Sequence, residues 1–133
     1  MDRNWIEYED GPRQPGPENI YVSINRVGDL MLNRFTFEAL GRPEAVKLMY
    51  DPDTDVIGLR PVSKFMTSAF PLRNKGRSDN KRIRIKPFCE RHDMKFDETV
   101  RFLQAEIENG ILVLGLLNTR STTRKRRSTS RRN

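Results

Sequence analysis

The longest apolar run in this chain is seven residues, Ile111 to Leu117, and Gly115 interrupts it. A membrane-spanning helix needs about 20 such residues in a row, so the chain must bury its apolar groups in short elements. They come as short runs cut by turn signals. Ile20-Tyr21-Val22-Ser23-Ile24-Asn25 alternates as a strand, Gly28-Asp29 makes a turn, and Leu30-Met31-Leu32 resumes as a strand. Asn33 is placed to cap a short helix over Arg34 to Leu40, with Phe37 and Leu40 on one face and Gly41 closing it. Pro43 blocks its continuation. Ala45 to Tyr50 and Val56 to Leu59 read as antiparallel partners about the turn Asp51-Pro52-Asp53-Thr54-Asp55.

The second half reads similarly. Between residues 61 and 80 strand and short helix both remain open for Phe65, Met66, Ala69, Phe70 and Leu72, and residues 74–81 read as a polar loop. Ile83-Arg84-Ile85 is a strand, Pro87 opens a helix over Phe88 to Asp93, and Thr99 to Leu103 is a strand. Glu106 to Gly110 carries an Asn-Gly turn before the last strand, Ile111 to Leu116. Each half thus runs strand, short helix, strand, turn, strand. Val46 and Ile57 are eleven apart, as are Val100 and Ile111, and Leu48 and Leu59 match Phe102 and Val113. Equal spacing keeps a hairpin in register, since a slip of one residue turns every core side chain outward. The expected fold is mostly β, a small barrel of two similar halves (residues 20–61 and 81–117) with disordered ends.

Charge divides the chain differently. The formal net charge is +7, and from Arg120 onward there are seven bases and no acid. Residues 1–119 therefore hold 18 bases and 18 acids. Three parts follow: an acidic flexible leader (1–19), a folded domain (20–119) and a disordered basic tail (120–133). The domain's 100 residues suffice for one modest core, and a domain of that size gains stability by pairing, so a homodimer fits. In the leader, Trp5, Ile6 and Tyr8 either dock on the domain or form a short partner-binding motif. The single cysteine, Cys89, excludes an internal disulfide and suits a reducing compartment; with no apolar signal segment, a cytoplasmic protein without membrane contact is expected.

The segment Gly28-Asp29-Leu30-Met31-Leu32-Asn33-Arg34-Phe35-Thr36-Phe37-Glu38-Ala39-Leu40-Gly41, with Leu59-Arg60-Pro61 after the hairpin, resembles the SpoVT/AbrB family of swapped-hairpin DNA-binding domains. The likeness covers about residues 22–61. It implies two interlocked copies forming a small DNA-binding β-barrel, and the MraZ branch, with two copies in one chain, suits the internal repeat. The family's proline is Asn33 here, the basic residue after its glycine is Asp29, and its helix arginine pair falls on Phe37 and Glu38. The resemblance therefore implies the fold more than it implies that family's DNA contacts.

The tail carries the plainest chemistry. Arg120, Arg124, Lys125, Arg126, Arg127, Arg131 and Arg132 suit bidentate phosphate contact, which is salt-sensitive and reads no bases. Six interspersed Ser/Thr either add hydroxyl contacts or, once phosphorylated, weaken the tail. Solvation or another anionic partner is the plainer reading. On the domain, Arg26 and Arg34 are candidate contacts, and Lys75, Arg77, Lys81, Arg82, Arg84 and Lys86 make a dense basic group against one acid, Asp79. That group is either a phosphate-facing surface or an ordinary solvated loop.

Cys89 and His92 would be only two of the four ligands zinc needs, and the chain has no other Cys or His. The acid pairs Asp53/Asp55 and Glu106/Glu108 fall in predicted turns. No glycine-rich phosphate loop and no catalytic constellation is legible. The sequence thus predicts a non-enzymatic nucleic-acid-binding protein without cofactor or metal, DNA ahead of RNA, and an AbrB-like transcriptional regulator as its most concrete form. The alternative is a protein-interaction module tethered by its charged tail.

Overall fold

The computed structural model describes residues 3–7, 19–76 and 79–122. It opens with a hairpin of β1 (Val22–Ile24) and β2 (Asp29–Leu32), Val22 opposite Leu32. Asn25 Oδ1 closes the turn by accepting from the amides of Val27 and Asp29 at 3.1 and 3.0 Å. Helix α1 (Arg34–Ala39) starts where Asn33 Oδ1 accepts from the Thr36 amide at 2.9 Å, while Asn33 Nδ2 donates to the Asn19 carbonyl at 2.9 Å. Strands β3 (Ala45–Asp51) and β4 (Val56–Val62) pair along their whole length, with Leu48 opposite Leu59.

Short strands β5 (Phe70–Pro71) and β6 (Arg73–Asn74) follow, then β7 (Lys81–Arg84) and helix α2 (Lys86–Arg91), with Pro87 in its first turn. Strands β8 (Val100–Phe102), β9 (Ala105–Glu108), β10 (Ile111–Gly115) and β11 (Thr119–Ser121) complete the chain. Between β9 and β10, Asn109 and Gly110 take φ of 53° and 78°, the left-handed pair that a two-residue hairpin turn requires.

The strands form two sheets, ordered β11-β8-β1-β2-β7-β6 and β5-β3-β4-β10-β9. Alternation sends Val22, Ile24, Leu30, Leu32, Ile83 and Phe102 of the first sheet against Val46, Ile57, Leu59, Leu112 and Leu114 of the second, all 0–1% exposed. Leu40, Phe88 and Cys89 close the core from the helices. The order β2-α1-β3-β4 returns as β7-α2-β9-β10 with β8 inserted between α2 and β9, and corresponding strands meet antiparallel: β2 with β7, and β4 with β10. No helix among the described residues is long and apolar enough to cross a membrane.

Several expectations need correction. No closed barrel is found among the described residues; the sheets are joined at corners where the chain changes sheet. At one corner the Leu72 amide donates to the Glu44 carbonyl at 3.0 Å. At the other, Gly115 donates to Gln104 and Leu103 donates to Asn118, both at 2.8 Å.

The eleven-residue register fails in the second half. Val113 faces Glu106, not Phe102, because the Asn-Gly turn is shorter than the loop between β3 and β4 and admits β9 as partner. Val100–Phe102 lies instead in the first sheet, between β1 and β11. Glu106 and Glu108 are strand residues rather than turn residues, Arg73–Asn74 is a strand, and Arg120 belongs to β11 rather than to a tail. Phe65 and Met66 sit in turns (Met66 amide to Ser63 carbonyl, 3.0 Å), neither strand nor helix. Trp5 and Ile6 are 84% and 94% exposed, not docked, and Tyr8 lies outside the described residues.

Gly28 ties the two halves together. Its φ is +87°, its carbonyl accepts from the Ile85 amide at 2.9 Å, and a Cβ there would meet Lys86 Cα at 2.9 Å. Gly28→Ala adds backbone strain to a clash with backbone, so a loss of at least ~2 kcal/mol is expected in urea denaturation. An unchanged midpoint would mean that this turn and the start of α2 separate freely.

Candidate nucleic-acid interface

Side chains that alternate with the core must face outward. In the first sheet the outward set includes Arg82 and Arg84, which flank Ile83, and Arg101, which lies between Val100 and Phe102. The register lines them up. Arg120 lies opposite Arg101, Arg101 opposite Ser23, Ser23 opposite Met31, Met31 opposite Arg82, and Arg82 opposite Arg73. One transverse row across the sheet thus carries four arginines. Six strands about 4.8 Å apart make it roughly 24 Å long.

The six strands of this sheet contain six bases (Arg73, Lys81, Arg82, Arg84, Arg101, Arg120) and one acid, Asp29. The second sheet's strands contain two bases, Lys47 and Arg60, against Asp51, Glu106 and Glu108. Charge on the strands is therefore segregated, with an excess of bases in the first sheet and a slight excess of acids in the second.

Like charges directly opposite one another destabilise a strand pair, yet Arg120 faces Arg101 and Arg73 faces Arg82. Arg82 Nε and Arg101 Nε are buried with no hydrogen-bond partner among the described residues. A buried donor without an acceptor costs on the order of 1–3 kcal/mol, and more when it is charged. The Arg101 guanidinium lies 4.4 Å from the Tyr21 ring centroid, a cation–π contact, and the Tyr21 amide donates to Thr36 Oγ1 at 2.9 Å. Asp29 is nearest Arg84, at 4.0 Å.

The predicted contacts divide. Arg82, Arg84 and Arg120 come together on this face. Lys81 shares a strand with them but points the other way: it lies opposite Leu32, its Nζ donates to Asn74 Oδ1, and it sits 4.7 Å from the Phe37 ring centroid. Arg34 is committed to acids, 3.5 Å from both Glu38 and Asp79. Arg26 is exposed beyond β1 and borders a separate pocket of about 380 Å³, where Lys86 and Lys95 are met by Glu90 and Asp93. Lys75 is exposed in the turn after β6. Arg77, Arg124, Lys125, Arg126, Arg127, Arg131 and Arg132 lie outside the described residues.

Arg101 was not singled out from sequence, although it was legible in the alternation Val100-Arg101-Phe102. Arg73 counted only as one of the domain's candidate surface bases, because its two-residue strand exists only through pairing with β7.

The helix positions that the swapped-hairpin resemblance points to are internally satisfied. Glu38 lies 3.5 Å from both Arg34 and Arg42, and Phe37 takes the cations of Lys81 and Arg42 on its ring. No family model, curated protein or solved structure matches the chain.

Cys89 and His92 do not act as a pair. Cys89 is buried, whereas exposed His92 packs its ring 5.0 Å from that of Tyr50 and 4.8 Å from that of Phe88. Burial pushes the Cys89 thiol up to about 11. Because the folded value lies above the unfolded one, the stability it confers is complete below the ordinary thiol range and is lost as pH rises toward 11. Native protein at pH 8 is expected to react slowly with a disulfide reagent and rapidly once unfolded. Fast labelling of the native state would show that the α2 side of the core is open.

Proposed function

We propose that this is a non-catalytic nucleic-acid-binding protein that grips the phosphate backbone with the outward face of its first sheet. The observation that carries the reading is the row Arg120-Arg101-Arg82-Arg73, bordered by a single, already paired acid. A row of roughly 24 Å spans about seven steps of a strand rising 3.4 Å each. Thr122 ends the described chain beside β8, and Arg124 to Arg132 follow it in sequence as further phosphate contacts. Arginines meeting phosphates fix position and not sequence, so base preference must come from other groups.

The finer reading is a DNA-binding regulator of the swapped-hairpin type, acting in the cytoplasm. It rests on the resemblance over residues 22–61 and is supported by the recurrence of strand, helix and hairpin with antiparallel contacts between the copies.

The test is a salt series on a DNA duplex, with an RNA duplex alongside, followed by fluorescence anisotropy. Each neutralised phosphate contributes roughly −0.9 to the slope of log affinity against log salt. The double variant Arg82→Ala/Arg101→Ala is expected to lower the slope by about 2, and a chain cut after Thr122 by about 5. If the double variant leaves both slope and affinity unchanged, the sheet is not the interface. The cut belongs after Thr122 because an earlier one removes β11.

One observation favours a second reading, an interaction module that pairs with itself. The outward face of the second sheet carries half-buried Met49, Val56, Ile111 and Val113, with Lys47 and Arg60 on one side and Glu106 and Glu108 on the other. None of these four charges makes an ion pair among the described residues. A hydrogen bond and like charge from Glu106 hold the Glu108 carboxyl above its usual range. A two-fold axis along the strands sets one copy's acids against its partner's bases. Sedimentation equilibrium is expected to show a dimer that Val113→Lys dissociates; a wild-type monomer at ~100 μM would end this reading.

A further inference from the structure

We propose that the β6–β7 end of the arginine row is a pocket for a terminal phosphate, the monoester group at the end of a nucleic-acid strand. This deepens the reading of the first sheet as a phosphate-binding face and rests on it. Pro71, Arg73, Arg82 and Arg84 line a cavity of about 230 Å³. A water occupies about 30 Å³ of the liquid, so the space holds a phosphate together with part of the sugar that carries it.

The site is built on paired backbone. Arg73 and Arg82 face one another across β6 and β7, and Arg84 lies two residues further along the same face of β7. Pro71 enters from the second sheet, and the hydrogen bond from the Leu72 amide to the Glu44 carbonyl fixes the step that brings Arg73 across. Three planar guanidinium groups carried on one face of this paired backbone suit the several oxygens of one phosphate.

Charge selects between two kinds of phosphate. An internal backbone phosphate carries one negative charge, whereas a phosphate monoester carries about 1.5 to 2 near neutral pH. Three arginines line the pocket, and Asp29 beside Arg84 offsets one of them, leaving a net charge near +2. That matches the monoester and exceeds what a diester requires. Arg82 lines the pocket while its Nε is buried, so it is the terminal nitrogens of its guanidinium that are left to meet a phosphate. Since Arg120 begins the row and this pocket ends it, a strand lying along the face stops here.

The test compares one short single-stranded DNA with a 5′-phosphate, a 3′-phosphate or hydroxyl groups at both ends, binding to the full chain. One phosphorylated form is expected to bind roughly tenfold tighter than the hydroxyl form, in line with a few charge-assisted hydrogen bonds. Arg73→Ala and Arg84→Ala should each shrink that ratio toward one, and Arg84→Lys should restore part of it. Arg101→Ala, outside the pocket, should weaken all three alike and keep the ratio. Inorganic phosphate should compete away only the preference for the phosphorylated end. Equal binding of the three strands overturns the pocket and spares the backbone-binding reading. A preference that survives both alanine variants places the site elsewhere and also overturns the pocket. Failure of all three strands to bind overturns the pocket, and together with failure of the duplexes to bind it overturns both.

Discussion

The antiparallel meeting of β2 and β7 sets the register on which the rest of the molecule depends. It places Leu30 against Ile83 on the inward face and Met31 against Arg82 on the outward one. The first pair joins the two halves through a shared core; the second puts an arginine of one half in line with strands of the other. A slip of one residue would exchange the faces, burying arginine and exposing isoleucine. Burial of Ile83 and Leu30, at 0% exposure, is what makes that slip costly. The core therefore holds the charged row in place from beneath.

Local signals were legible wherever the structure is local. The β3–β4 hairpin followed from alternation about the Asp51–Asp55 turn, α1 from the capping side chain of Asn33, and α2 from Pro87. The misreadings of Val100–Phe102 and Arg120 share one physical cause: the partner strand is distant in sequence. Val100–Phe102 has the composition of a hairpin strand, but β9 satisfies β10 first, which leaves β8 to pair with Ser23 and Ile24. Strands β6 and β11 are too short to carry an apolar pattern and are specified by the edges they complete. The site was half legible for the same reason. Charge in sequence drew attention to Lys81 and Arg34, which face Phe37 and two acids, whereas the face itself is assembled from six strands.

The departures from the swapped-hairpin pattern have local explanations. Asn33 stands where the resembled pattern has a proline, and its backbone N–H donates to the Tyr21 carbonyl at 3.1 Å, a bond that proline cannot make. Its side chain also caps α1 and ties down Asn19. Asp29 serves Arg84 on the outward face, and Glu38 balances two arginines on α1. In this chain the charges of α1 are paired, whereas the first sheet carries an excess of bases.

Arg120 belongs at once to the last strand and to the basic sequence that follows it. Because β11 is fastened to β8, with the Thr122 amide donating to the Thr99 carbonyl at 3.0 Å, Arg124 begins only two residues beyond a fixed point at the end of the row. Any polyanion seated on the sheet is thereby presented to the remaining basic residues as an intramolecular encounter. Their contribution is set by effective concentration and not by the bulk amount of either partner. Lengthening the chain between Thr122 and Arg124 would dilute that encounter without removing a single charge.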